Sequence, residues 1–125
     1  SDDIAGGEAA ATELLNNNPD IKGVIAYNDP SAVGASSAAK SANKTGLAFG
    51  GQNGGSDGLA AVASGKINYT IQLAAPSIGK FAAWGLYALK QGKTIAKTVR
   101  GDAPVLVTTE TASSAKSWAD ILAGM

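Results

Sequence analysis

Patterns typical of helices and strands alternate along the chain, and this alternation constrains the fold more than any other feature. Residues 7–16 carry apolar side chains at helical spacing, namely Ala10, Ala11, Leu14 and Leu15. The run "NNNPD" ends that helix, because a proline at position 19 cannot be accommodated in a helix interior. "GVIAY", which follows, predicts a buried strand.

The same alternation continues to the end of the chain. Three further segments predict strands: "GLAF", "INYTIQL" and "VLVTT". Helices are predicted from "NDP", with Asp29 as the N-cap, over 59–64, from Pro76 to Gln91, and within "SAKSWADILAGM". With 125 residues the chain is long enough for one domain. We therefore predict a single α/β domain over 1–125, with a largely parallel sheet and helices on both faces.

Polar side chains follow the first three predicted strands. Asn28 and Asp29 follow the first, Gln52 and Asn53 the second, and Gln72 lies near the end of the third. Ligands of open parallel sheets bind outside the carboxyl ends of the strands. Since an amide offers a donor and an acceptor together, this set suits hydroxyl-rich neutral molecules better than phosphates. The alternative for Asn28 is that it satisfies backbone groups at the strand end, and for Asp29 a capping role is favoured over a ligand role.

The glycine-rich stretch "GGQNGGSDG", residues 50–58, has two readings. It is the exit loop of the second strand, and in α/β proteins such loops often hold a ligand. The alternative is a flexible connector in which Ser56 or Asp57 caps the next helix. A phosphate cradle is disfavoured, because the stretch fits neither Gly-x-x-x-x-Gly-Lys-Ser/Thr nor Gly-x-Gly-x-x-Gly.

Composition excludes several classes of function. The chain has no cysteine and no histidine, so disulfides, thiol nucleophiles, imidazole bases and the usual zinc ligands are ruled out. No acid-base pair or cluster of acids is apparent, and we predict no enzyme, no cofactor and no metal. Ten basic and ten acidic side chains cancel, so no nucleic-acid partner is expected. A basic set is interpreted as a solvated face: Lys80, Lys90, Lys93, Lys97 and Arg100.

In combination, several segments resemble one known family. "NNNPDIKGVIAYNDPSAVGASSAAKSA", then "GLAAVASGKINYTIQ" and "PSIGKFAAWGLYALKQGK", look like the carboxyl-terminal part of type I periplasmic sugar-binding proteins. These are ribose- and galactose-type solute receptors of ABC importers, and LacI-type effector domains are related to them. The pattern Asn-Asp-x-x-Ala-x-Gly stands here as Asn28, Asp29, Ala32 and Gly34. The resemblance implies a flavodoxin-like or Rossmann-like lobe.

The resemblance also implies ligand-binding residues. The sugar-contacting asparagine of the family falls on Asn28, and the aspartate of its Gly-Phe-Asp turn falls on Asn53. The hinge glutamine of the family falls, without gaps, on Leu73, so Gln72 takes that role only if the strand shifts by one residue. The expected ligand-binding residues are therefore Asn28, Asn53 and Gln72.

Two parts of the family pattern lie outside this chain: a first lobe of about a hundred residues, and the strand and helix that open the second lobe. The resemblance implies that the crossover helix segment, residues 75–104, packs on that first lobe. Alternatively, it is swapped between two copies in a homodimer of the fragment. Trp84 and Tyr87 lie off the apolar stripe of this helix.

The function that follows from the resemblance is binding of a small sugar or polyol in a cleft between two lobes, for delivery to a membrane permease of an ABC importer. An extracytoplasmic location is then expected, in the periplasm or by lipid anchoring at the cell surface. The alternative is the effector-binding domain of a LacI-type transcription regulator, which requires a helix-turn-helix upstream of the first lobe.

Overall fold

The structure, a computed structural model, describes residues 2–125 and contains five α-helices and four strands among them. In chain order the elements are α1 (Ile4–Asn17), β1 (Gly23–Ile25), α2 (Asp29–Ser41), β2 (Ala48–Asn53), α3 (Ser56–Ala63), β3 (Tyr69–Gln72), α4 (Ala75–Lys90), β4 (Val105–Thr108), a 3-10 turn (Ala112–Ser114) and α5 (Trp118–Ala123). The predicted alternation of helices and strands is confirmed.

The strands form one sheet in the order β1-β2-β3-β4. β1, β2 and β3 are parallel, whereas β4 runs antiparallel to β3. The carboxyl ends of the three parallel strands therefore lie at the same edge of the sheet. The prediction of a largely parallel sheet flanked by helices is confirmed.

Helices α2 and α3 pack over the sheet face that carries Phe49 and Val107, and α1 packs against α2 in the same core. Leu15 and Val62 are fully enclosed in this core. Helices α1 and α2 cross with almost no space between their backbones, since a Cβ on Gly34 would lie 2.6 Å from the Glu8 nitrogen. Glycine at this position therefore permits the close helix contact.

The opposite face of the sheet presents apolar side chains that the described residues leave exposed. In register, Gln52 of β2 lies beside Ile71 of β3, which in turn lies beside Leu106 of β4. Ile71 is 38% exposed and Leu106 is 60% exposed. Because side chains alternate across a sheet, these residues point away from the core that contains Phe49 and Val107.

Helix α4 forms where the sequence predicts it, with Pro76 in its first turn. Its apolar stripe is not covered by the part of the chain that the structure describes: Ile78, Phe81, Leu86 and Leu89 are exposed, as are Trp84 and Tyr87. Helix α4 contacts α5, and Gly85 lies next to the side chain of Ile95. The sequence pattern correctly predicts a helix with an apolar face, but no described residue covers that face.

Two local predictions are wrong. Asn28, not Asp29, is the N-cap of α2. Strand β2 extends through "GGQN" to Asn53, so the glycine-rich stretch is largely strand and first helical turn. The last helix lies within the predicted segment and begins at Trp118, because Ser117 and Asp120 form a capping box that sets its start. Among residues 2–125, no helix has both the length and the apolar character needed to cross a membrane.

Candidate functional site

The polar residues that follow β1, β2 and β3 meet at the carboxyl edge of the sheet. Asn53 and Gln72 are register partners on neighbouring strands. Asp29, the residue after Asn28, accepts a hydrogen bond from the Gly54 N–H at 2.8 Å through Oδ2. The sheet thus assembles one polar site from three segments far apart in sequence. Gln52 is separated from this group, because its position alternates to the opposite face of the sheet.

Asn28 is 6% exposed, and its side chain is used inside the protein. Its Oδ1 accepts from the Ser31 N–H at 2.9 Å, which caps α2. Its Nδ2 donates to the Asp2 carbonyl oxygen at 2.7 Å. One amide hydrogen and one lone pair stay available for other partners.

Gln72 is also buried, and it joins two segments. Its Nε2 donates to the Gly54 carbonyl oxygen at 2.9 Å and to the Lys116 carbonyl oxygen at 3.0 Å. Both amide hydrogens are therefore occupied. The geometry leaves Gln72 only its Oε1 to offer a ligand, so the side chain is better placed to hold the β2–α3 connection than to donate to a sugar.

Asn53 differs from the other two amides. It is partly exposed, and its side chain makes no hydrogen bond within residues 2–125. Its backbone has φ of 106°, a conformation that residues other than glycine rarely adopt. Neither the amide hydrogens nor the amide oxygen of this side chain is used by another described residue. Asn53 is therefore the most available of the predicted ligand residues.

The Asp29 carboxyl lies beneath this edge and is 3% exposed. Burial raises its pKa above the ordinary value of 3.8, and the Thr70 hydroxyl and the Gly54 N–H lower the pKa in part. Asp29 Oδ1 and Thr70 Oγ1 are both buried without a hydrogen bond of good geometry. Buried polar atoms without a hydrogen-bond partner lower the free energy of unfolding.

The glycine-rich stretch is explained by its neighbours. The Tyr69 ring lies over Gly50, where a side chain would collide with it. A Cβ on Gly51 would lie 2.5 Å from Asp29 Oδ1, and one on Gly58 would collide with the same carboxyl group. Neither a flexible connector nor a phosphate cradle is found. The glycines make room for a buried carboxylate that the sequence interpretation treated as a cap.

Two residues of this region were not identified from the sequence. Thr70 is fully buried in β3 beside Asp29. Trp118, at the start of α5, donates from Nε1 to the Leu73 carbonyl oxygen at 3.1 Å. A Cβ on Gly55 would lie 3.6 Å from its ring. An aromatic residue in a short carboxyl-terminal helix was the available signal for Trp118, whereas nothing in the pattern of β3 distinguished Thr70.

An apolar cavity of about 380 Å³ lies between α4 and α5, apart from the predicted ligand residues. It is lined by Ala75, Pro76, Gly79, Lys80, Trp118, Leu122 and Met125.

The chain matches known proteins in sequence and in structure. Residues 1–94 match the periplasmic binding protein domain family. The ribose import binding protein of Bacillus subtilis is 34% identical over 104 residues, which are 83% of this chain and 33% of that protein.

Two solved structures agree in fold. An ABC transporter periplasmic solute binding protein from Actinobacillus succinogenes with bound D-allose superimposes with a TM-score of 0.81 at 24% identity, over 91% of this chain and 41% of that one. An ABC transporter solute binding protein from Agrobacterium vitis with bound D-fucose gives a TM-score of 0.74 at 27% identity, over 87% and 38% of the two chains.

The chain spans about one third of its curated relative and about two fifths of the solved chains. These relatives are solute-binding proteins of transporters and not enzymes, in agreement with the prediction from the sequence. The resemblance that the sequence motifs indicated is confirmed. The chain belongs to the periplasmic binding protein family.

Proposed function

We propose that this chain is part of the substrate-binding component of an ABC importer, and that it contributes to a cleft for a small neutral sugar or polyol. The observation that carries the proposal is the amide-bearing carboxyl edge of β1, β2 and β3, with the unpartnered side chain of Asn53 at its surface. The relatives support it, since they are named for ribose import or were solved with D-allose and D-fucose.

Asn53 is the primary ligand residue of this proposal. A sugar hydroxyl can both donate and accept a hydrogen bond. The neutral amide of Asn53 offers a matching acceptor oxygen and matching N–H donors. Asn28 and Gln72 line the same edge, and each makes the contacts to the backbone described above. Their contribution to a ligand is expected to be smaller, because part of their hydrogen-bonding capacity is occupied.

The remaining partners follow from the same proposal. A first lobe completes the cleft, hinge closure buries the sugar, and a membrane permease receives the closed form. The location is extracytoplasmic, either in the periplasm or anchored by lipid at the cell surface. The names of the relatives favour this receptor over a LacI-type regulator.

The proposal also assigns a covering partner to helix α4. Residues 75–104 either pack on the first lobe or are exchanged between two copies of the chain. The exposed side chains of Ile78, Trp84 and Leu86 support this assignment, because isolated domains rarely leave so large an apolar surface uncovered. Sedimentation of the 125-residue chain at micromolar concentration should show dimers or larger species. A monomer throughout would contradict the assignment.

The first test of function is thermal unfolding of the complete two-lobed protein with D-ribose, D-allose, D-fucose, myo-inositol, amino acids and nucleosides. A ligand at 100 times its dissociation constant should stabilise the protein by about 2.7 kcal/mol. Stabilisation by one sugar or polyol supports the proposal and identifies the ligand class. Stabilisation only by an amino acid or a nucleoside would contradict the assignment to sugars.

The second test is specific to the site. Asn53→Ala in the two-lobed protein should weaken sugar binding by about 1 to 3 kcal/mol without unfolding the protein, because a ligand hydroxyl loses its partner. Gln52→Ala is the matched control, since it removes the neighbouring amide from the opposite face of the sheet. Equal affinities in wild type and Asn53→Ala, measured by calorimetry, would remove Asn53 from the site.

A further inference from the structure

The peptide group between Asn53 and Gly54 is held on both sides. Its N–H, from Gly54, donates to Asp29 Oδ2 at 2.8 Å. Its carbonyl, from Asn53, accepts from the Leu73 N–H at 2.9 Å. The next carbonyl, that of Gly54, accepts from Gln72 Nε2 at 2.9 Å. Three consecutive polar groups of the backbone are thus fixed by the ends of α2 and β3.

These contacts hold a conformation that asparagine does not favour. Asn53 has φ of 106° and Gly54 has φ of 66°. A residue other than glycine in this region costs on the order of 1 to 3 kcal/mol and persists only where the surroundings determine it. The side chain of Asn53 itself makes no hydrogen bond within residues 2–125, so no hydrogen bond to the protein fixes its direction.

The Asp29 carboxyl is built into this arrangement rather than placed there by chance. It is buried, Gly51 and Gly58 pack against it, and Gly54 donates its N–H to it. A side chain at Gly51 or Gly58 would displace the carboxyl, and with it the acceptor for the Gly54 N–H. The glycine pattern of the stretch therefore preserves one hydrogen bond directly after the proposed ligand residue.

We infer that Asp29 is a positioning residue, which holds the Asn53–Gly54 peptide so that the Asn53 amide faces the ligand. This inference rests on the proposed function of Asn53. Asp29 itself does not reach the ligand, since its Oδ2 is occupied by Gly54 and its Oδ1 is buried beside Thr70. Loss of the carboxylate releases the Gly54 N–H, and Asn53 then relaxes toward a negative φ.

The test is a double-mutant cycle in the two-lobed protein, with affinities for D-ribose, D-allose and D-fucose measured by calorimetry. Asp29→Ala should weaken binding about tenfold in the wild-type background. In the Asn53→Ala background the same change should alter affinity less than about twofold, because the group that Asp29 positions is gone. Asp29→Asn keeps an acceptor of the same length and should restore affinity to within about threefold of wild type.

Controls separate positioning from general stability. Asp57→Ala removes an exposed carboxylate in the first turn of α3, a few residues away, and should leave affinity unchanged. If Asp29→Ala does not fold, Asp29→Ser replaces it, since a hydroxyl on a shorter side chain cannot reach Gly54 but suits the first turn of a helix. An equal loss of affinity with and without Asn53 would overturn the inference, as would wild-type affinity in Asp29→Ala.

A second readout does not depend on a ligand. Hydrogen exchange at the Gly54 amide should be slow in the wild type and in Asp29→Asn, and at least about tenfold faster in Asp29→Ala. If none of the three sugars binds the wild-type protein, the proposed function fails for sugars, and the exchange rate still decides whether Asp29 holds the peptide. An unchanged Gly54 exchange rate in Asp29→Ala overturns the inference whatever the binding result.

Discussion

The region from α1 to β3 and the helix α4 contain similar amphipathic patterns, but their apolar side chains are buried to very different degrees. Leu15 and Ile67 in the first region are 1% exposed, whereas Trp84 and Leu86 in α4 are 55% and 70% exposed. Each helix of the first region contacts another helix or the sheet, and α4 contacts chiefly the short α5. An apolar stripe therefore predicts that a helix forms but does not predict what covers it.

The largest expected difference between the two regions is the effect of removing a leucine. Leu15→Ala should lower the free energy of unfolding by about 2 to 5 kcal/mol, because it leaves a cavity in the enclosed core. Leu86→Ala should change it by less than about 0.5 kcal/mol, since the side chain is already exposed. Urea unfolding of the 125-residue chain, at concentrations below those at which it self-associates, provides both values. Similar losses in the two variants would show that α4 is covered in solution.

Replacing glycine by alanine should change the stability of the chain in opposite directions in the two regions. Gly34→Ala should destabilise the chain by about 1 to 3 kcal/mol, because the new Cβ would press on the backbone of α1. Gly79→Ala in α4 should stabilise it by about 0.5 to 1 kcal/mol, since open space surrounds the position and alanine favours a helix. Thermal unfolding distinguishes the two. Destabilisation by Gly79→Ala would indicate that another surface packs on that side of α4.

The buried carboxyl of Asp29 should make the first region sensitive to pH. Burial raises the pKa of Asp29 in the folded chain above 3.8, so the folded state binds more protons than the unfolded state between these two pKa values. The contribution of Asp29 to stability is therefore largest below pH 3.8 and falls as the pH rises through the raised pKa. Asp29→Asn should remove this dependence, because its amide does not titrate and can donate to the Thr70 hydroxyl. Urea unfolding between pH 3 and pH 7 measures it, and an Asp29→Asn curve parallel to that of wild type would contradict the assignment.

The smallest effect is expected at α5, next to α4. Ser117 Oγ donates to Asp120 Oδ2 at 2.6 Å, and hydrogen bonds from Ser117 lower the pKa of the exposed Asp120 carboxyl. The capping interaction is therefore present above the ordinary pKa of Asp120 and is lost as the pH falls through the lowered value. Ser117→Ala should increase amide exchange in α5 while leaving global unfolding nearly unchanged. A large loss of global stability would show that α5 is part of the main folding unit.

Helices and strands were predictable because their signals are local. The spacing in residues 7–16 and the pattern around Pro76 both gave helices in the structure. Boundaries were less predictable at polar and glycine residues. Asn28 and Asp29 both suit an N-cap, and the contacts that bury Asp29, among them the Gly54 N–H, come from segments distant in sequence. The strand through "GGQN" was missed because its glycines resemble a loop.

The sequence predicted at which edge of the sheet the candidate residues lie, but it did not predict which of them are free to bind a ligand. Asn28, Asn53 and Gln72 come together because parallel strands bring their carboxyl ends to one side. The sequence does not show which of these amides is left without a hydrogen-bond partner. Backbone carbonyls from Asp2, Gly54 and Lys116 occupy donors of Asn28 and Gln72, and no local pattern announces contacts over such separations.

The sequence by itself determined the order of helices and strands, the neutral and amide-rich character of the carboxyl edge, and the family, because each depends on residue type and short spacing. The tertiary structure decided that Asp29 is a buried anchor, that Asn53 is the amide left unpaired, and that the stripe of α4 has no cover within the described residues. These features depend on which distant segments come into contact, and contact is settled by packing of the whole chain rather than by any segment alone.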